Sequence, residues 1–568
     1  MTLKAWYIGN TTVRNPSRLK EGLRVLASSS LHGNLIKKNQ PELAKLLDRE
    51  GIVDLKRSSE DDISDMGRKW KAALTQLGFL TPDPDTISGF RYEPYTITPN
   101  GRRLIEADTL PKEQECFLRA LLAHQIPSDI EGFPAGPIFS PLRIVLEVLS
   151  GLGNYGLEPY ISRNEMASIV MLTRSVEDIP EAINKIREFR EEESRFLIPR
   201  EKKRFYKAYR ENVAANIPSQ NADTIYTYAD CNFRYLKLTG LFIERGQALY
   251  IIDHKKSIVE QILATPFQPI PENEYPKTLW NGAILPTDNA PNAIVAIQSL
   301  VKMLQENGQE VEVPDLFKME AQDLSQYRLS LEDKWFKLLE TRYAERQATE
   351  WADILNYLKE LTQPRRGGIV PQGEAPAYFE WALWRAFLAI NSLVNKPWEA
   401  RRFKIDADFQ PVGLAPGNGP DMVFEFEDFV VVAEVTLTAS SRQEAAEGEP
   451  VRRHVAQYVD HYSSLGKKVY GLFIANKIDS NTAETFRIGV WYRQDDSRMA
   501  LQIVPLTLSQ FIELFEAGFA SGRNHLDCKM IEQIIRDCLV DSNNEAPKWK
   551  EKINENVGRM VDRIRRIS

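Results

Sequence analysis

The 568-residue chain has no run of 18 or more apolar residues, and Met1–Asn10 lacks the long apolar stretch of a secretory leader. Neither a membrane partner nor export is expected, and the expected location is cytoplasmic. Cysteine is scarce: Cys116, Cys231, Cys528 and Cys538 are scattered, with no ligand cluster beside any of them. That pattern excludes a disulfide framework and speaks against a structural zinc site. Charge of one sign is also lacking, since 72 Lys and Arg stand against 79 Asp and Glu, a net of -7. A balance this mildly acidic argues against a protein that coats nucleic acid. It leaves site-specific enzymes open, because local charge decides phosphate contact.

What the chain has is material for cores: 43% hydrophobic residues, with 25 Phe, 20 Tyr and 10 Trp. Its length exceeds the roughly 250–300 residues that one core sustains, so several domains are expected. In the first of them Trp70-Lys-Ala-Ala-Leu-Thr-Gln-Leu reads as a helix stopped by Gly78. A short strand near Tyr95, a Pro-Asn-Gly turn and another helix follow. Helix, hairpin-like turn, helix fits a winged-helix module and fits a generic α+β unit equally well. The same order returns more clearly at Tyr228–Leu263, where a helix ends at Gly240 and two short strands flank a Gly-containing turn before a further helix. Between them Lys202, Lys203, Arg204 and Lys207 alternate with Phe205, Tyr206 and Tyr209. Basic residues at that spacing, with Arg234 further on, are candidates for tracking a phosphate backbone; a solvated helix with buried aromatics is the plainer alternative. A Pro-rich passage from Pro266 to Pro291 marks a boundary, and charged helical segments run on to Leu361.

The chemistry is concentrated after Tyr378. Phe379, Leu383, Phe387 and Ile390 form the core face of an apolar helix, and Glu380 lies one residue off that face. Asn418-Gly-Pro-Asp421 then leads into a short alternating strand, and Phe429-Val-Val-Val-Ala precedes Glu434 in what reads as a buried strand. Paired antiparallel through a turn at Glu427-Asp428, the two strands bring Asp421 and Glu434 to the same end of a hairpin. A carboxylate ending a buried strand is costly unless it is paired or holds a cation. Hard oxygen ligands suit Mg²⁺, with Mn²⁺ as a substitute. A salt-bridged structural pair is the alternative. Beyond the strand, Glu449 and Pro450 open a helix on which Arg453, His454 and Gln457 lie close together. The spacing Pro420-Asp421, Glu434, Thr436 is similar to the PD-(D/E)xK nuclease signature, with Thr436 in place of the lysine.

Four runs are more specific: Phe379-Glu-Trp-Ala-Leu-Trp, Leu414-Ala-Pro-Gly-Asn-Gly-Pro-Asp-Met, Val432-Ala-Glu-Val-Thr and Gly448-Glu-Pro-Val-Arg-Arg-His. Together they resemble the AlwI-type restriction endonucleases, which include related nicking endonucleases and the large subunits of heterodimeric restriction enzymes. The resemblance implies a multidomain α+β chain. Residues 1–160 and 161–265 would be winged-helix-like recognition subdomains, 266–370 a mostly helical linker, and 371–568 an α/β PD-(D/E)xK-like nuclease domain. It implies type IIS cleavage of double-stranded DNA outside a short asymmetric site, using Mg²⁺. The catalytic residues implied are Glu380, Asp421, Glu434, Glu449 and His454. Asp421, Glu434 and Glu380 would hold the metal, and Thr436, Arg453 and Gln457 would contact phosphate or water. Double-strand cutting would need a second copy or a small nuclease subunit, and a cognate methyltransferase would belong to the same system. Strand-specific nicking is one alternative; a winged-helix DNA-binding protein without catalysis is another.

Overall fold

The computed structural model of the chain describes residues 4–13, 15–53, 55, 59–217, 220–365, 367–371, 373–439, 442–521 and 524–567. The chain is mixed α and β, rich in helix, and divides into two compact units, Met1–Trp335 and Phe336–Ser568. The helix Ala321–Arg346 runs across the division. Among the described residues no helix is long and apolar enough to cross a membrane.

In the first unit one hydrophobic core gathers side chains from Ala5 to Leu285. The helix Glu60–Gln76 opens with a capping box, in which Ser59 and Asp62 satisfy each other's backbone N–H groups. The helix Pro99–Glu106 starts with proline, where a missing N–H costs nothing, and Thr98 accepts from the Gly101 N–H. The strand expected near Tyr95 is reduced to a single bridge, Leu80 to Ile97. Further along, the helix Pro141–Asn154 leads to β1 (Tyr160–Ser162) and a short helix Arg163–Ser168. After the helices Ile179–Ser194, Pro199–Ala215 and Ala222–Lys237 come β2 (Phe242–Arg245) and β3 (Ala248–Ile251). The β2–β3 turn is Gly246-Gln247, both at positive φ, the twist that two-residue hairpins favour. β3 lies in the middle of the sheet, antiparallel to both β1 and β2. The start of the chain is stitched to this part: the Trp6 N–H donates to Met171 O, and the Ile8 N–H to Asn232 Oδ1.

The second unit is built on a four-stranded sheet. The helix Ala375–Ile390 precedes β4 (Met422–Glu425) and β5 (Phe429–Thr436), which form the antiparallel hairpin expected at Glu427-Asp428. The helix Glu449–Ser463 carries the chain across to β6 (Lys468–Ala475), parallel to β5. The helix Ser480–Ile488 and a small hairpin of β7 (Val490–Tyr492) and β8 (Arg498–Ala500) follow, and β9 (Ile503–Thr507) pairs parallel with β6. Sheet order is β4-β5-β6-β9. Phe424 pairs with Val431, so both point to one face, where Phe387 of the helix Ala375–Ile390 stacks on Phe424 at 3.9 Å between ring centres. Glu434, three residues from Val431, points to the other face, against the helix Glu449–Ser463. Gly471 of β6 lets that helix approach, since a Cβ there would lie 2.8 Å from Val455 Cγ2.

Candidate active site

The β4–β5 register sets the geometry. Met422 faces Ala433, so one step further Asp421 faces Glu434. Asp421 Oδ2 accepts the Val435 N–H at 2.8 Å, which fixes the carboxyl at the end of the hairpin. The two carboxyls share a hydrogen bond. Burial, the neighbouring Glu434 charge and Glu447 hold Asp421 well above the usual carboxylate range. Burial and the Glu447 charge also raise Glu434. Two buried acids this close cannot both carry a charge at low cost unless a positive charge stands beside them.

His454, buried on the helix Glu449–Ser463, places Nδ1 2.6 Å from Glu434 Oε1. Burial and the charges of Arg453 and Arg402 hold its imidazole down to about 4, so the ring is neutral. Its Nε2 is buried and has no hydrogen-bond partner among the described residues. Such an orphaned nitrogen is a position where a ligand atom or a water completes the set.

The structure brings Asp421, Glu434, Thr436 and His454 together and adds an acid that the sequence reading did not single out. Glu447 lies in a π-helical turn, Glu444–Gly448, that leads into the helix. Its carboxyl bonds to the Thr436 side chain, burial raises it, and its charge reaches Asp421, Glu434 and His454. Gln443 pins this turn, donating to Thr438 O and Lys477 O and accepting from the Asp479 N–H. Ser440 and Ser441, just before it, lie outside the described residues. Glu449, in contrast, is exposed and paired with Arg453 at 3.1 Å. Gln457 is exposed on the same helix.

Glu380 is buried, 5% exposed, on the helix Ala375–Ile390. Its helix covers the sheet face opposite Glu434, and its Oε2 accepts the Ala415 N–H at 2.8 Å. It therefore orders the loop that leads to Asp421. Among the described residues no group of three His, Cys, Asp or Glu is disposed to hold a metal ion. The donors that fit a cation are the two carboxyls of Asp421 and Glu434.

Arg402 borders this centre. Its Nη2 donates to Asn418 Oδ1 at 2.6 Å and its Nη1 to Pro420 O at 3.2 Å, while its backbone N–H donates to Asp421 O. Its charge favours the Glu434 anion and opposes protonation of His454.

In the first unit Lys203, Arg204 and Lys207 are exposed on the helix Pro199–Ala215, Lys207 loosely paired with Glu211. Lys202 pairs with Glu193, and Arg234 with Asp230. The flanking aromatics Phe205, Tyr206 and Tyr209 gather around Phe189.

The site is thus a buried pair of carboxyls at the end of a mixed-sheet hairpin, with a histidine from a crossing helix bonded to one of them. The sequence profile of the AlwI restriction endonuclease family matches residues 75–514, and the chain belongs to that family of nucleases. No curated protein matches it. Among solved structures it is similar to the small subunit of the heterodimeric restriction endonuclease R.BspD6I, at 26% identity and a TM-score of 0.29, over 36% of this chain and 97% of that one. It is also similar to the BpuJ1 endonuclease binding domain, solved with pyrene- and phenanthrene-modified DNA, at 13% identity and a TM-score of 0.31, over 49% of this chain and 96% of that one.

Proposed function

We propose that the chain is a Mg²⁺-dependent type IIS endonuclease that binds a short asymmetric site in double-stranded DNA and cuts a few base pairs outside it. The observation that carries this reading is the Asp421–Glu434 pair, two buried carboxyls raised by burial and by acidic neighbours in a nuclease of this family. Mg²⁺ usually takes one or two protein carboxylates and keeps several waters, so two oxygen donors suffice; Mn²⁺ would substitute. Bound between them, the cation would supply charge neutralisation at the scissile phosphate and a more acidic water. Hydrolysis adds a water oxygen to phosphorus as one P–O ester bond breaks, with a proton lost from the water and one gained by the departing oxygen.

The chain's own groups have distinct tasks in this reading. Glu434 holds the His454 ring through Nδ1, leaving Nε2 to accept a proton from water or to meet a phosphate oxygen. Thr436 and Glu447 hold the side of the centre where related nuclease signatures carry lysine. Glu380 positions Asp421 through the Ala415 loop. Arg453 and Gln457, and Glu449 beside them, lie on the helix face that would meet the DNA backbone. In the first unit the order helix, β1, helix, then helix, β2, β3, with β3 central, supports a winged-helix reader. Residues 1–160 and 161–265 are then recognition subdomains and 266–370 a linker to the cutter at 371–568. Lys202, Lys203, Arg204, Lys207 and Arg234 would contact phosphates. One centre cuts one strand, so a second copy or a small nuclease subunit completes a double-strand break, with a cognate methyltransferase protecting host sites. Strand-specific nicking is the outcome without that partner.

Plasmid digestion with Mg²⁺, followed by run-off sequencing of both strands, tests the reading. Breaks at a fixed offset from a common short sequence are expected, on one strand for a nicking enzyme or on both for a self-sufficient one. No break with Mg²⁺ or Mn²⁺ refutes it.

A further inference from the structure

Nucleases with the signature discussed above place a lysine two residues after the second acid. Here that position is Thr436, and its hydroxyl is committed to Glu447. The centre therefore gathers negative charge from Asp421, Glu434 and Glu447 without a cation on its own strand. A phosphodiester passing through a five-coordinate state gains charge on its non-bridging oxygens, and a preorganised cation at that point is worth far more than one in water.

The arginines around the second unit are mostly spoken for. Arg401 makes a two-point pair with Glu340, Arg385 bonds Glu350 and Asp353, and Arg453 pairs with Glu449. Arg402 differs. Among the described residues its guanidinium meets no acid; its partners are the Asn418 side-chain oxygen and the Pro420 carbonyl. Both belong to the turn that ends in Asp421, so the guanidinium is anchored one residue from the first acid. Gly419 is what admits it, because a Cβ on that residue would collide with Nη1. The Gly-Asn-Gly-Pro run thus has a packing reason: it makes room for a cation. Its charge is felt at Glu434, His454 and Tyr458, three groups on two elements lining the centre. A planar guanidinium held by two of its five donors keeps the others for an anion.

We propose that Arg402 is a catalytic residue that binds a non-bridging oxygen of the scissile phosphate, supplying from the β4 turn the cation that Thr436 does not. This inference rests on the nuclease reading above and adds a residue to it.

The test uses the full chain and a duplex carrying the mapped site. R402A, R402K and G419A are compared with the wild type in single-turnover cleavage with Mg²⁺, and in DNA binding with Ca²⁺ in its place. R402A is expected to cleave about 100-fold or more slowly at saturating DNA, with Kd changed less than about threefold, the size seen when one charge-stabilising donor is removed. R402K, which keeps the charge but loses the two-point grip, should recover at least about tenfold over R402A, as should R402A in added guanidinium. G419A should behave like R402A. Should R402A fail to fold, R402K against R402Q makes the same comparison. Cleavage by R402A near the wild-type rate overturns the assignment, as does a loss confined to Kd. A loss with no recovery by Lys or guanidinium makes Arg402 a brace of the turn and also overturns it. Absence of cleavage by the wild type overturns the nuclease reading together with this one, so the two failures are distinguishable.

Discussion

Replacing Asp421 by Asn separates what the carboxyl pair does for the reaction from what it does to the fold. The Asn side-chain oxygen can accept the same Val435 N–H, and its NH₂ can donate where the pair otherwise shares a proton. Burial and the Glu434 charge raise the folded-state pKa of Asp421. A raised carboxyl keeps its proton in the folded protein after the unfolded chain has released it. Stability is therefore lost as pH rises above the ordinary carboxylate range toward the folded value. Each pH unit inside that window removes about 1.4 kcal/mol from the metal-free wild type. Asp421→Asn escapes that slope and is expected to be the more stable protein at pH 8, with the difference vanishing near pH 4. With Mg²⁺ at ten times its Kd the wild type regains about 1.4 kcal/mol, and the variant gains close to nothing. Cleavage should fall at least about 1000-fold, some 4 kcal/mol of barrier, with site-specific binding intact. Urea unfolding at pH 4, 6 and 8, with EDTA or Mg²⁺, and run-off cleavage read all of this. Near-normal cleavage by the variant, or lower stability than the wild type at pH 8, refutes the reasoning.

Glu447→Gln is expected to slow single-turnover cleavage at least about tenfold more than Glu449→Ala, because only the first carboxyl reaches the acid pair. Glu131, 3.8 Å from His124 in the first unit, is pushed up to about 8 by burial. Its contribution to stability is lost between pH 4.5 and about 8, so Glu131→Gln should gain up to about 4 kcal/mol at pH 8 and little near pH 4.5, read by urea midpoints. Phe387→Ala, fully buried against Phe424, should cost about 3–5 kcal/mol in urea unfolding. The fraction that remains folded should still cleave, since Phe387 lies behind the sheet.

The hairpin that carries Asp421 and Glu434 was legible because period-two burial and a continuous apolar run are local signals, and the β2–β3 hairpin was legible for the same reason. The pairing of β6 with β9 was not, because parallel neighbours are chosen by packing far along the chain. The apolar stretch Met499-Ala-Leu-Gln-Ile-Val-Pro-Leu is nearly continuous in sequence, yet it divides between β8 and β9. β1 was missed: three residues with no alternation are strand only because β3 offers an edge. Glu449 is implied by the run Gly448-Glu-Pro-Val-Arg-Arg-His, and Glu447 stands one residue before that run, where the resemblance does not point. Glu447 reaches the centre from the π-helical turn before the helix, and no local pattern in the sequence announces that turn. Glu380 could not be resolved by periodicity because its helix is buried on every side. Arg402 carries no signal at all in isolation; its place depends on a turn formed sixteen residues later.

The register of β4 on β5 has a consequence for how such chains vary. What keeps the two acids together is Met422 standing opposite Ala433, and the twelve residues between Asp421 and Glu434 matter only through that pairing. Residues added at Glu427-Asp428 lengthen the loop and leave the acids in place. A single residue added within either strand turns one acid to the far side of the sheet. Chains with the same centre can therefore differ in acid-to-acid spacing, and a search written for one fixed gap will pass over them.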